Sequence, residues 1–143
     1  MENSSMNNFK KLNLFQATIL AALLSGFANV FAFSIVKLMH IGVFIPLQPG
    51  VNQLNELSLD KVILATVVPA FIAGGIFALL KKFTPKKAMT HFLFISLGSL
   101  IFSFFSPFAL QVSLANKLIL CAFHVIAGIF IFGTFYNFEK MKK

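Results

Sequence analysis

The chain has 143 residues, 58% apolar, 15% aromatic and 11% charged, with twelve basic residues, all lysine, against four acids for a formal charge of +8. Too few polar residues remain to cover a soluble domain, and they collect between apolar runs, so the basic charge points to a membrane chain rather than to a nucleic-acid binder. A single cysteine, Cys121, excludes an internal disulfide, a CxxC redox centre and a cysteine zinc site within one chain.

Residues 1–9 are polar enough to form a disordered tail. A spanning helix needs about 20 apolar residues, and four segments reach that length: residues 14–36, 62–80, 88–108 and 117–136. Helix one lies between Lys10, Lys11 and Lys37; at about 23 residues it exceeds the core of a signal peptide and is expected to stay uncleaved. The connection that follows, IGVFIPLQPGVNQLNEL, mixes apolar residues with Pro46, Pro49 and Gly50 and predicts a long extracytoplasmic loop that caps the bundle. Helix two carries Ala70, Gly74 and Ala78, a small-residue series that permits close helix approach, and also Pro69, which removes a backbone donor and frees the carbonyl of Ala65. The basic turn KKFTPKK, stopped by Pro85, joins helices two and three as an antiparallel hairpin. Helix three carries Ser96, Ser99, Ser103 and Ser106 along one stripe; helix four carries Lys117, Cys121, His124 and Gly128 along another. The fold predicted is all-α: one polytopic membrane domain over residues 1–143, a four-transmembrane-helix bundle.

Lysine placement sets the orientation, because cytoplasmic loops retain positive charge. Lys10, Lys11, Lys81, Lys82, Lys86, Lys87, Lys140, Lys142 and Lys143 fall on one side, nine in all, against Lys37, Lys61 and Lys117 on the other. Both termini are therefore expected in the cytoplasm, and the chain in a bacterial inner membrane.

Polar side chains within the spans are costly, so their depth matters. At 1.5 Å per residue, Asn29 lies about 10 Å below the outer end of helix one, and His124 and Pro69 reach a similar depth on helices four and two. Ser99 and Ser103 bracket that level on helix three. Asn29, Pro69, Ser99, Ser103 and His124 are thus the candidate ligand-binding layer. As a neutral imidazole, His124 is one donor and one acceptor, and within lipid it needs a partner; Asn29 or a helix-three serine is in reach, and an interhelical clasp is the plainer alternative to a ligand site. His40 and His91 lie near opposite faces, so no metal site is expected.

The segments SGFANVFAF, ATVVPAFIAGGIFALL, FTPKK, SLGSLIFSFFSPFAL and ANKLILCAFHVIAGIFI together resemble an uncharacterised bacterial four-helix integral membrane family, the domain-of-unknown-function family numbered six thousand and sixty-nine. The likeness covers about Phe15 to Phe132, and its more specific elements are Asn29, Val68-Pro69-Ala70, the end of helix three from Phe104 to Phe108, and His124 with Ala127. It implies the architecture and no activity.

Three function classes follow. A structural or accessory membrane subunit, in which the polar layer only locks the helices, is the first expectation. The alternative is a small-molecule or lipid-binding or transport module with an outer-leaflet pocket around His124 and Asn29, lined by an apolar wall that suits a neutral or weakly polar lipid-like molecule. An enzyme comes last, since the acids Glu2, Glu56, Asp60 and Glu139 all lie outside the spans and no catalytic set can be assembled. No cofactor is expected. The partners expected are the lipid bilayer and a second copy of the chain or another membrane protein, with no nucleic acid.

Overall fold

The structure, a computed structural model, describes residues 12–46 and 53–142. Four helices are present among them: α1 (Leu14–Leu38), α2 (Leu59–Phe83), α3 (Ala88–Ala109) and α4 (Leu114–Met141); two short strands, β1 (Phe44–Pro46) and β2 (Leu54–Glu56), lie between α1 and α2. Each helix is long and apolar enough to cross a membrane. The helices outrun the apolar segments because polar caps extend them. Asn13 and Gln16 form a capping box at the start of α1, with Gln16 N donating to Asn13 Oδ1 at 2.8 Å and Asn13 N donating to Gln16 Oε1 at 2.9 Å. Ser113 caps α4, its hydroxyl accepting from Asn116 N, so that helix starts three residues before Lys117. The expected tail over residues 1–9 lies outside the described residues.

α1 ends in a Schellman motif: Ile41 N donates to Val36 O and His40 N to Lys37 O, with His40 at φ 57°, in the left-handed region. The chain thus reverses within a few residues of the helix end. This corrects the long loop expected between helices one and two. α1 and α2 are closely packed neighbours, and the described part of their connection folds into an antiparallel pair in the register Phe44–Glu56, Ile45–Asn55 and Pro46–Leu54. Its physical cause lies far along the chain. Asn116 of α4 acts as a third strand for β1: Phe44 N donates to Asn116 Oδ1 at 3.1 Å, and Asn116 Nδ2 donates to Phe44 O at 2.6 Å. Backbone groups near lipid must find partners, and here one buried amide supplies both a donor and an acceptor. Pro49 and Gly50, central to the sequence expectation, lie outside the described residues.

Packing is uneven. α1 lies chiefly on α2 and α4, whereas α3 packs on α4 and more lightly on α2. Close approach of α1 and α2 rests on Gly74, where an added Cβ would sit 2.3 Å from Thr18 Oγ1. Two apolar clusters result. One, near the KKFTPKK turn, joins Ala17 and Ala21 of α1 to Phe77, Phe92, Ile131 and Phe135; the rings of Phe77, Phe92 and Phe135 lie 5.0 to 5.3 Å apart by centroids. The other, under the strands, joins Phe33, Val43, Leu57, Val62 and Phe123. α3 buries only Ala88, Phe92 and Pro107, so it is held near its two ends and stands off along its middle. Phe94, Phe102 and Phe105 on its outer side are exposed, a face that a bilayer would cover.

Candidate functional site

Between the two apolar clusters sits Asn29, 3% exposed. Its Nδ2 donates to Thr66 Oγ1 at 2.9 Å and to the Phe123 carbonyl at 3.1 Å, which ties α1 to α2 and α4. Because the Thr66 hydroxyl donates its own hydrogen to Val62 O at 2.8 Å, and a carbonyl can only accept, both neighbours demand the amide nitrogen. Asn29 Oδ1 is left enclosed without a partner among the described residues. The clasp foreseen for His124 is therefore made by Asn29 with Thr66 and with the backbone of the residue before His124. The imidazole itself makes no hydrogen bond among the described residues, and Asn29 and His124 do not bond to each other.

Instead, His124 stands where two cavities meet. The first, of ≈ 210 Å³, lies toward the strands between α2, α3 and α4, with Asn29, Lys61, Thr66, Ser106 and Pro107 among its walls. A second, of ≈ 320 Å³, continues toward the KKFTPKK turn and is walled by Pro69, Ile72, Ser96, Ser99, Ser103 and Phe92, among others. Ala65, His124 and Ala127 belong to both. All five sequence-chosen residues thus line one cavity or the other: Asn29 only the first, Pro69, Ser99 and Ser103 only the second, His124 both. The second cavity exists because the face of α3 turned to it carries serines where filling side chains would stand. It is a cleft open between α2 and α3, for Ile72 and Ile95 on its facing walls are 57% and 40% exposed.

Hydrogen bonding separates this site from the rest of the molecule. A hydroxyl in an apolar helix ordinarily returns its hydrogen to a carbonyl one turn back, as do Thr18, Ser25, Ser34, Thr66 and Thr134. Ser103 does the same toward Leu100 O at 2.6 Å. Ser96, Ser99 and Ser106 do not, and all three line the cavities. By contrast, a hollow of ≈ 350 Å³ between the first half of α1 and the last turns of α4 has polar walls from Thr134 and Asn137, both bonded to their own helix. Uncommitted polar groups therefore gather around His124 alone of these hollows. Among the described residues, no three His, Cys, Asp or Glu side chains come together to hold a metal ion. Cys121 is buried one turn from His124 and makes no hydrogen bond with it or with an acid among the described residues.

Lys61 and Thr66 escaped the sequence reading. Lys61 sat at the edge of an apolar run and counted there only toward the span boundary and the orientation, although it is one turn from Ala65 and two from Pro69 on the same α2 face. Thr66 precedes Ala70 and Gly74 by four and eight residues, a signal that extends the small-residue series backward.

A family model described as a family of unknown function (DUF6069) matches residues 10–137. No curated protein and no solved structure matches the chain.

Proposed function

Since the chain belongs to DUF6069, a family of unknown function whose matched region takes in nearly all of the described residues, we propose on the chemistry of the site itself that the protein is a membrane-embedded binding module for a lipid-like molecule. A single observation carries this reading: the half-buried imidazole of His124 lines two adjoining cavities whose walls also hold Ser96, Ser99 and Ser106, three hydroxyls without a hydrogen bond among the described residues. Polar groups at membrane depth without partners are costly, and an amphiphile with hydrogen-bonding oxygens would satisfy them while its hydrocarbon fills the apolar cleft. Packing alone would be met more cheaply by small apolar side chains.

Membrane topology enters the same proposal. Lys81, Lys82, Lys86, Lys87, Lys140 and Lys142 lie at one end of the bundle and Lys37, Lys61 and Lys117 at the strand end, which supports cytoplasmic termini in a bacterial inner membrane. The cavity next to the strands would then open toward the outer face.

A structural or accessory subunit is the second reading, and the Asn29 clasp favours it, since three helices are locked there without any ligand. The two readings part on substitution. Native mass spectrometry of protein purified from membranes should show a retained lipid-like molecule, lost in His124→Phe and kept in Asn29→Leu, which is instead less stable to heat. Equal occupancy in wild type and His124→Phe, or none in the wild type, would leave the accessory reading in place.

A further inference from the structure

Resting on that lipid-binding reading, we infer that the molecule bound is a single-chain amphiphile with an acidic head, a carboxylate or phosphate on Lys61, an oxygen at His124 and Ser106, and its tail in the cleft pointing to Phe92. Three described lysines lie at the strand end of the bundle. Lys37 is paired with Glu56, and Lys117 donates to the Phe108 carbonyl at 3.1 Å. Lys61 has no ion pair or hydrogen bond among the described residues, is half-buried, and lines the first cavity. No acid is among that cavity's lining residues; Asp60 beside Lys61 is exposed. An unpaired ammonium at the rim of an apolar hollow attracts an anion more strongly than one in water, because the surroundings screen it less.

The walls then run in one direction. On α2, Lys61, Ala65, Pro69, Ile72 and Ile76 succeed one another over about 22 Å at 1.5 Å per residue. α3 runs the opposite way and offers Ser106, Ser103, Ser99, Ser96 and Phe92 over the same depth. Charge marks one end of this path, at Lys61; His124 stands midway where the cavities meet, serines continue along α3 to Ser96, and the far end at Ile76, Phe92 and Phe132 is apolar. Below Phe92 the way is closed by its contacts with Phe77 and Phe135. Head and tail ends are therefore fixed by the protein. At about 30 Å³ for a water-sized group, which a methylene approximates, the ≈ 320 Å³ cleft holds roughly ten, enough for much of one chain, and a second chain would have to lie outside it in the bilayer. Its opening between α2 and α3 lets such a chain enter sideways from the bilayer.

The test titrates the full chain, in phosphatidylcholine nanodiscs, with four sixteen-carbon probes: palmitate, monopalmitoyl lysophosphatidic acid, monopalmitoylglycerol and dipalmitoyl phosphatidic acid. Expected is binding of either or both acidic single-chain probes about tenfold tighter than the neutral glyceride, with the diacyl acid failing to compete. Lys61→Gln should abolish the preference for acid over the glyceride, and Lys61→Arg should restore it. Comparing palmitate with the lysophosphatidic acid tells a carboxylate site from a phosphate site. A preference that survives Lys61→Gln, or equal binding of the diacyl acid, overturns the inference. If acids and glyceride bind equally and His124→Phe weakens both, the acidic head is wrong while the binding cleft stands; if no probe binds, the binding function falls with it.

Discussion

Asn29, Gly74 and His40 show three ways in which one residue fixes this fold, and each allows a prediction. Asn29 holds two acceptors from different helices with a single amide nitrogen. Interhelical hydrogen bonds in membranes are worth about 0.6 to 2 kcal/mol, so Asn29→Leu should lower stability by that order. Thr66→Val removes one of the same bonds, and a double-mutant cycle read by thermal unfolding in detergent should give a loss smaller than the sum of the two. Additivity would mean that the clasp does not form. Gly74 is different, for nothing but hydrogen fits there: an added Cβ meets the Thr18 side chain at 2.3 to 3.0 Å. Gly74→Ala should therefore destabilise, and Thr18→Ala should relieve it, whereas Gly75→Ala, with open space around the position, should be harmless. At His40 the backbone pays for a left-handed turn that glycine adopts freely. His40→Gly should raise stability by about 0.5 to 1 kcal/mol, less whatever the more flexible unfolded chain gives back.

On the scale of elements, the spans were legible in the sequence because twenty apolar residues in a row admit few other structures, and the helices exceed them only by the turns that caps and flanking lysines add. Faces were read less well. Ala70, Gly74 and Ala78 follow a four-residue step, which overshoots a 3.6-residue turn by about 40°, so the row drifts off the contact. Ala78 is accordingly exposed, Phe77 takes the buried position, and the row extends backward to Thr66. Of the candidate site, depth in the sequence picked out five residues that line the two cavities but not Lys61 or Thr66, and not the bonding pattern, which depends on which serines return their hydrogens to the helix. The strand pair was hidden for another reason: its partner, Asn116, lies 72 residues beyond Phe44 and looks in sequence like an ordinary polar residue before a helix. Asn116→Asp tests that contact. A carboxylate accepts but cannot donate, so it keeps the bond from Phe44 N and turns the 2.6 Å contact with Phe44 O into repulsion. Hydrogen exchange should then quicken over residues 43–46 and 53–57 and stay unchanged in α3; uniform slow exchange would show the strands to be held by their own pairing.

The molecule as a whole is asymmetric end to end, and the proposed orientation rests on that. One end gathers Lys81 and Lys82 of α2, the Lys86-Lys87 turn, Lys140 of α4 and Lys142 just after it; among the described residues only Lys81 of these is paired, with the buried Glu139. At the strand end, Lys37 is neutralised by Glu56 and Asp60 follows closely, so the net charge there is small. Translocating the first end across a bilayer would move several unpaired cations, whereas the second end carries few, and the positive-inside bias follows. The prediction is that, in a Cys121→Ser background, a cysteine at Gln53 is modified by a membrane-impermeant thiol reagent applied to intact cells, while one at Thr84 is modified only after the cells are opened. Both positions lie outside the apolar spans, so accessibility is not limited by lipid. Labelling of Thr84→Cys alone in intact cells would invert the bundle and place the mouth of the first cavity at the cytoplasmic face; Lys61 and His124 would then receive their ligand from the inner leaflet instead of the outer.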